Sequence, residues 1–262
     1  NQVQHILMEE YFGLSRIELL TSPGKIVPSD ALALFEQALA KVSRGIPLAY
    51  VLGKWQFYGL DLVVNPSVLI PRPETEELVQ WILSENHCGK VLDIGTGSGC
   101  IPIALKKHAQ ELQVFACDIS EEALNLARQN ALANYVEVDF FRMDILTESF
   151  QKSVESYDVI VSNPPYIPSR EQAQMDVSVL DHEPGLALFV PDEDPLLFYR
   201  TIADYGLHHL KAGGKLYVEI HESYGSETVA LLKDRGYLNV ELRQDINGKD
   251  RMVGAYQSDQ IL

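Results

Sequence analysis

The chain has 262 residues, 46% of them hydrophobic, enough for one full α/β core and a small accessory domain. Its formal net charge is −16 and no cluster of five Lys or Arg occurs, which argues against a protein that grips long nucleic acid by its phosphates. No run of 18 apolar residues exists and the amphipathic, partly acidic stretch Asn1–Leu20 is unlike a signal peptide, so a cytoplasmic protein without a membrane span is expected, as a monomer.

Residues 2–44 read as helices, with Val3, Ile6, Leu7 and Tyr11 at helical spacing. Ser29 or Asp30 is placed to cap a second helix carrying Leu32, Leu34, Phe35, Ala38, Leu39 and Val42, and Gly45-Ile46-Pro47 ends it. Residues 50–64 alternate around Tyr58-Gly59 and predict a β-hairpin. The expected domains are 1–45, helical and substrate-recognising; 46–73, a hairpin linker; and 74–262, the catalytic unit. From about residue 74 helices and strands alternate. Strands are predicted at Val91–Ile94, Val114–Asp118, Val136–Phe141, Val159–Ser162 and Lys215–Ile220, and helices at Ile101–Lys107, Glu121–Leu132, Leu196–Leu210 and Val229–Arg235. Val240–Leu242 and Met252–Ala255 have no helix between them and should pair antiparallel, giving a mostly parallel sheet with one reversed strand at the end. The stretch 163–195 reads as long and mostly irregular, with seven acids against Arg170, and a loop of that length in a compact domain usually has a task. Cys88, Cys100 and Cys117 fit no metal spacing and read as small buried hydrophobes in a reducing compartment; no metal is expected. His208-His209 fall on a predicted helix and read as surface or packing residues.

Two segments carry chemistry. Val91-Leu92-Asp93-Ile94-Gly95-Thr96-Gly97-Ser98-Gly99 is a strand followed by a glycine turn at the carboxyl edge of a parallel sheet, where such sheets bind ligands. Asp118 ends the next strand, 19 residues after Gly99, where a carboxylate can accept both ribose hydroxyls of a nucleoside. Asp144 follows the third strand and can meet an adenine amino group. A dinucleotide fingerprint needs its third glycine one residue later, and Asp93 puts negative charge where the ammonium and sulfonium of S-adenosylmethionine fit better than a pyrophosphate. The second segment, Asn163-Pro164-Pro165-Tyr166, follows the fourth strand at the same edge. Alone it could be a strand-ending turn. Beside a methyl donor it suits a planar NH2 group: the Asn163 side-chain oxygen and the Pro164 carbonyl each accept one N–H, proline offers no competing donor, and Tyr166 gives a flat apolar wall.

These residues, with Pro47-Leu48-Ala49-Tyr50-Val51-Leu52-Gly53, Phe57-Tyr58-Gly59 and Val68-Leu69-Ile70-Pro71-Arg72-Pro73-Glu74-Thr75-Glu76, resemble the HemK/PrmC family of release-factor glutamine methyltransferases. Glu183-Pro184, Ala187-Leu188 and Asp245–Arg251 look like family positions too. The resemblance runs from about Pro47 to the end. It implies a class I methyltransferase fold, Rossmann-like with a seven-stranded mostly parallel sheet, behind a small helical N-terminal domain and a β-hairpin linker. It implies S-adenosylmethionine as methyl donor, S-adenosylhomocysteine as product, and as substrate the glutamine of the Gly-Gly-Gln loop of bacterial peptide release factors, methylated on its side-chain amide nitrogen (N5). Carried onto this sequence, the cofactor residues are Thr75, Gly95, Thr96, Gly97, Ser98, Gly99, Asp118, Asp144, Ile145 and Asn163. The substrate residues are Asn163, Pro164, Pro165 and Tyr166, with Asn163 and Pro164 catalytic. The chain departs from the family where Gly and Gln usually follow Glu219-Ile220: His221 and Tyr224 stand there. Rival readings are a ribosomal-protein glutamine methyltransferase, a nucleic-acid amino-methyltransferase, which the acidity disfavours, and a non-catalytic module on the same scaffold.

Overall fold

The protein is described from a computed structural model, for residues 2–21, 24, 26–147 and 155–258. The N-terminal part holds α1 (Gln2–Phe12), α2 (Arg16–Thr21) and α3 (Ser29–Ser43); residues 22, 23 and 25 of the stretch read as helical lie outside the described residues. Leu7 of α1 and Ala38 of α3 are buried, and Phe12 meets Phe35 with ring centroids 5.1 Å apart. Neither Ser29 nor Asp30 caps α3: Pro28 holds the N-cap position without a side-chain hydrogen bond, so the fixed proline φ starts the helix. Leu32 and Leu34 are exposed rather than part of a core face.

Residues 48–52, expected as the start of a hairpin, form instead the short helix α4 (Leu48–Leu52), which ends at Gly53 in the left-handed region, φ 69°. Only then do β1 (Lys54–Phe57) and β2 (Leu60–Val63) pair antiparallel about Tyr58-Gly59. An unanticipated helix, α5 (Pro73–Glu85), follows, with Pro at its first turn and Leu78, Val79 and Ile82 buried. Then come β3 (Gly89–Ile94), α6 (Cys100–His108), β4 (Leu112–Asp118), α7 (Glu121–Ala133), β5 (Asp139–Arg142) and β6 (Tyr157–Ser162). The strand expected at Val136–Phe141 is thus short and starts at Asp139, because Tyr135 takes a left-handed φ of 58° and the chain must still turn out of α7. The segment 163–195 is more ordered than expected: β7 (Ile167–Pro168) pairs with β8 (Phe189–Val190) around α8 (Val177–His182) and 3₁₀ turns. α9 (Leu197–His209), β9 (Leu210–Glu219), α10 (Gly225–Asp234), β10 (Leu238–Gln244) and β11 (Asp250–Tyr256) complete the described chain.

The seven-stranded sheet has the order β10-β11-β9-β6-β3-β4-β5. β9, β6, β3, β4 and β5 pair in parallel, while β11 runs antiparallel to both its neighbours. The reversed strand is therefore last in the chain but lies one strand inside the sheet edge. α5 and α6 with the hairpin cover one face through Leu78, Ile82, Ile103, Leu105 and Leu62; α9 and α10 cover the other through Tyr199, Ile202, Leu231 and Leu232. Val64, Val68 and Ile70 of the linker pack on Ala123 and Leu126 of α7. Asn130 of α7, fully buried, binds both the N–H and the C=O of Val63 (2.7 and 2.9 Å) and the Ser98 carbonyl (2.9 Å), so one amide fastens the hairpin to the glycine turn. No helix among the described residues is long and apolar enough to cross a membrane. Cys117 is buried and Cys100 partly so, but Cys88 is exposed in the turn before β3, against expectation. His209 is buried and stacks on Tyr205 at 3.9 Å, while His208 is exposed.

Candidate active site

β3 delivers the chain to the carboxyl edge of the sheet at Ile94. There Gly95 and Gly97 adopt φ of 74° and 54°, the left-handed region that side chains disfavour. The turn is tied to β4: Gly95 and Thr96 donate their N–H groups to the Cys117 carbonyl (2.9 and 3.0 Å), and Gly97 donates to Asp118 Oδ2 (2.8 Å). Asp118 Oδ1 accepts the Ser120 N–H at 2.9 Å. The carboxylate thus shapes the turn and keeps lone pairs on both oxygens for a ligand. Gly99 has a different role from the one expected. It caps α6 at φ 81°, and a Cβ there would stand 2.9 Å from Ile103 Cδ1 and 3.0 Å from Ala127 Cβ. It allows α6 and α7 to approach and is absent from the cavity wall.

The glycine turn opens on a cavity of about 450 Å³, within the usual range for small-molecule sites. Its wall contains Gly95, Thr96, Gly97, Ser98, Asp118, Asp144, Ile145, Asn163, Pro164, Pro165 and Thr75, so the two motifs read from sequence meet in one space. Asp144 Oδ1 accepts the Leu146 N–H (2.9 Å), which sets the carboxylate at the mouth of β5. Sequence reasoning missed the rest of the wall: Val68, Leu69 and Arg72 from the linker, Leu186 from the 163–195 segment and Phe198 from α9. No period or motif signals such residues, because they come from elements with no shared register.

Beneath the turn lies a set of buried polar atoms without hydrogen-bond partners: both carboxylate oxygens of Asp93, Thr96 Oγ1 and Ser98 Oγ. Such groups are costly to bury unless something satisfies them. Asp93 is fully buried, and desolvation, reinforced by the nearby Asp118 charge, pushes its carboxyl up to about 7. Burial also raises the Asp118 carboxyl. Acceptors and uncompensated negative charge beside an apolar wall fit a nucleoside ligand that carries N–H donors and a cationic centre.

On the other side of the cavity, β6 is held to β3 by the Ser162 hydroxyl, which donates to the Ile94 carbonyl at 2.6 Å. Asn163 follows. Its Nδ2 donates to Thr75 Oγ1 (3.2 Å), and the Thr75 hydroxyl donates to Glu219 Oε2 (2.6 Å). Tyr166 is not part of the cavity wall. Its hydroxyl donates to Glu219 Oε1 (3.2 Å) and its ring packs edge-on to His221 at 6.0 Å, so it anchors the loop from behind. Burial raises the Tyr166 hydroxyl well above its ordinary value. Glu219, the last residue of β9, is 1% exposed, and burial pushes its carboxyl up to about 6. Its only sequence signal was an acid at the carboxyl end of an apolar strand.

The 163–195 segment is clasped to its surroundings. Glu183, buried, accepts from Arg72 (2.6 Å) and from the Ile70 N–H (3.2 Å) of the linker. The Arg170 guanidinium donates to the Tyr224 hydroxyl (2.8 Å), and His221 Nε2 meets Glu171 Oε2 at 3.0 Å. The divergent His221 and Tyr224 thus hold this segment in place. Among the described residues no group of three or more His, Cys, Asp or Glu could hold a metal ion.

The chain is 44% identical over 256 residues to the release factor glutamine methyltransferase of Flavobacterium psychrophilum, covering 95% of this chain and 89% of that protein. The chain belongs to the release factor glutamine methyltransferase family. Its counterpart in Streptococcus pneumoniae is 46% identical over 232 residues, covering 87% of this chain and 81% of that one. Residues 3–53 match the PrmC N-terminal domain and residues 74–181 the methyltransferase small domain. In fold, this methyltransferase is similar to a methyltransferase from Pyrococcus furiosus (19% identity, TM-score 0.58, 87% of this chain and 98% of that one) and to the hMettl16 catalytic domain (17%, 0.62, 81% of each).

Proposed function

We propose that this methyltransferase moves a methyl group from S-adenosylmethionine to the side-chain amide nitrogen (N5) of the glutamine in the Gly-Gly-Gln motif of bacterial peptide release factors, in the cytoplasm. The observation that supports this reading best is that Asn163 lies on the same cavity as the glycine turn with its Nδ2 already committed to Thr75. That leaves Oδ1 as the acceptor for a substrate.

An amide nitrogen is a weak nucleophile, because its lone pair is delocalised into the carbonyl. When bound, S-adenosylmethionine supplies an electrophilic methyl on a sulfonium. Gly95–Ser98, Asp118, Asp144, Ile145 and Thr75 would hold it, Asp118 at the ribose hydroxyls and Asp144 at the adenine. Asn163 Oδ1 and the Pro164 carbonyl each accept one N–H of the substrate amide, fix its plane and aim its lone pair at the methyl. The same two oxygens stabilise positive charge growing on nitrogen. Pro164 and Pro165 present no N–H that would compete. The product amide keeps one N–H and sheds the other as a proton. Residues 1–45 serve recognition of the protein substrate, 46–73 link, and 74–262 carry out transfer.

Incubation with labelled cofactor and a release factor, followed by mass spectrometric mapping, should place one methyl on the motif glutamine. Asn163→Ala should lower single-turnover transfer by roughly 10²-fold or more, with cofactor affinity within about threefold. Transfer by Asn163→Ala near the parent rate would refute the amide-positioning role.

A further inference from the structure

We propose that Glu219 is a positioning residue for methyl transfer: through the Thr75 hydroxyl it dictates which end of the Asn163 amide faces the substrate, and through the Tyr166 hydroxyl it anchors the far end of the same loop. This rests on the role given to Asn163 above.

The argument is one of donor polarity along a chain of three groups. An ionised carboxylate can only accept. The Thr75 hydroxyl lies 2.6 Å from Glu219 Oε2 and so spends its single proton there. Its oxygen can then only accept, and the group that reaches it is Asn163, at 3.2 Å. Asn163 must therefore turn its NH2 to Thr75 and its oxygen to the cavity. A neutral group in place of the carboxylate removes this constraint. Its own donor can satisfy the Thr75 oxygen, the hydroxyl proton can turn to Asn163, and the amide can then rotate by half a turn. The cavity would meet an incoming NH2 with another NH2, donor against donor.

The surroundings keep this chain intact. Glu219 is buried and its two oxygens take the two hydroxyl protons, one each from Thr75 and Tyr166. The Arg251 guanidinium of β11 stands near and favours the ionised form, yet its hydrogen bonds go to Asp245 Oδ2 (3.2 Å) and the Ile220 carbonyl (3.4 Å). Glu74 of α5 opposes ionisation, and Tyr199 of α9 and Cys100 of α6 complete the titratable neighbours. Hydroxyl donors thus orient Glu219 where a direct ion pair would have neutralised it.

The experiment is single-turnover methyl transfer to a release factor at saturating S-adenosylmethionine, as a function of pH. Glu219→Gln should transfer about 10²-fold more slowly, the loss typical of one positioned electrostatic contact, with cofactor affinity within about threefold. The parent rate should fall as pH drops below about 6, following the buried carboxyl, and the Gln variant should lack that limb. Thr75→Val should lose as much, Thr75→Ser should recover at least about tenfold of the loss, and the double variant Thr75→Val/Glu219→Gln should be no slower than either single, because both cut one chain. Transfer by Glu219→Gln within about threefold of the parent, or losses that multiply in the double variant, would overturn the proposal. A second measurement needs no substrate: the side-chain amide NMR signal of Asn163 should titrate with Glu219 in the parent and move in Glu219→Gln. An unmoved signal overturns the positioning role, whereas a parent that leaves release factor unmethylated while this signal behaves as stated tells against the substrate assignment alone.

Discussion

Asp93 makes the sharpest quantitative test of the site, because its burial sets stability against function. The carboxyl is fully buried, both oxygens lack partners, and its pKa rises from 3.8 to about 7. A carboxyl whose folded pKa lies above its unfolded value binds its proton more tightly when folded. Ionisation is then a cost to the folded state that is absent below about pH 4, grows across the window from 3.8 to about 7 and is complete above it. At about 1.4 kcal/mol per pH unit, that window amounts to about 4 kcal/mol in the ligand-free protein. Asp93→Asn removes the charge and retains an unsatisfied buried amide, which costs roughly 1–3 kcal/mol at any pH. The stability difference between variant and parent should therefore shift in the variant's favour by about 2–3 kcal/mol between pH 5 and pH 8. At pH 8 the variant should match or exceed the parent, while its affinity for S-adenosylmethionine falls at least about tenfold for want of the negative charge. Urea unfolding of both proteins at the two pH values, with calorimetry of cofactor binding, measures both effects. A stability difference that does not change with pH would refute the buried-charge argument, since every other titrating group is common to the two proteins.

Two further substitutions separate ligand contact from scaffold. Gly99→Ala should leave cofactor affinity within about threefold but lower stability by about 2–4 kcal/mol, from a left-handed φ and a Cβ placed 2.9 Å from Ile103; an unchanged melting temperature with lost binding would make Gly99 a ligand residue instead. Asp118→Ala should raise the cofactor dissociation constant at least about tenfold, because hydrogen bonds to charged groups contribute about 1.5–3 kcal/mol each and the Gly97 N–H loses its acceptor as well; unchanged affinity in calorimetry would remove Asp118 from the site.

What the sequence disclosed follows from how local each signal is. The glycine turn, Asp118 and Asn163-Pro164-Pro165-Tyr166 each lie in a contiguous run whose residue types are set by the backbone or the chemistry at that spot. The parallel strands were legible because both faces are covered and they read as apolar runs. Val136–Phe141 was overextended as a strand because Val136 and Val138 are apolar for a different reason: they pack against the core beside α7 before the strand starts. Leu48–Leu52 alternates as a strand would, but proline before it and glycine after it enclose a single helical turn. Gly99 carried the same residue type as Gly95 and Gly97, and only the distance to Ala127 shows that it serves helix packing. Glu219 was the hardest to see. Its partners Thr75 and Tyr166 lie 144 and 53 residues away, and a carboxylate that works through hydroxyls leaves no spacing to read.

The linker is best understood from what its residues hold at each end. Val64, Val68 and Ile70 are packed on α7, and the Tyr50 hydroxyl donates to the Val68 carbonyl at 2.6 Å. Ile70 and Arg72 are both bonded to Glu183 in the segment over the cavity, and three residues after Arg72 the Thr75 hydroxyl meets Asn163 and Glu219. A flexible tether would leave these groups to water, and the buried Glu183 carboxylate would then stand unpaired at a cost of several kcal/mol. Residues 70–75 therefore form part of the active site as much as they join it to the N-terminal helices. That explains why the run Ile70-Pro71-Arg72-Pro73-Glu74-Thr75 is so specific in sequence: the prolines fix the path, Arg72 closes the segment over the cavity, and Thr75 passes the polarity of a buried carboxylate to Asn163.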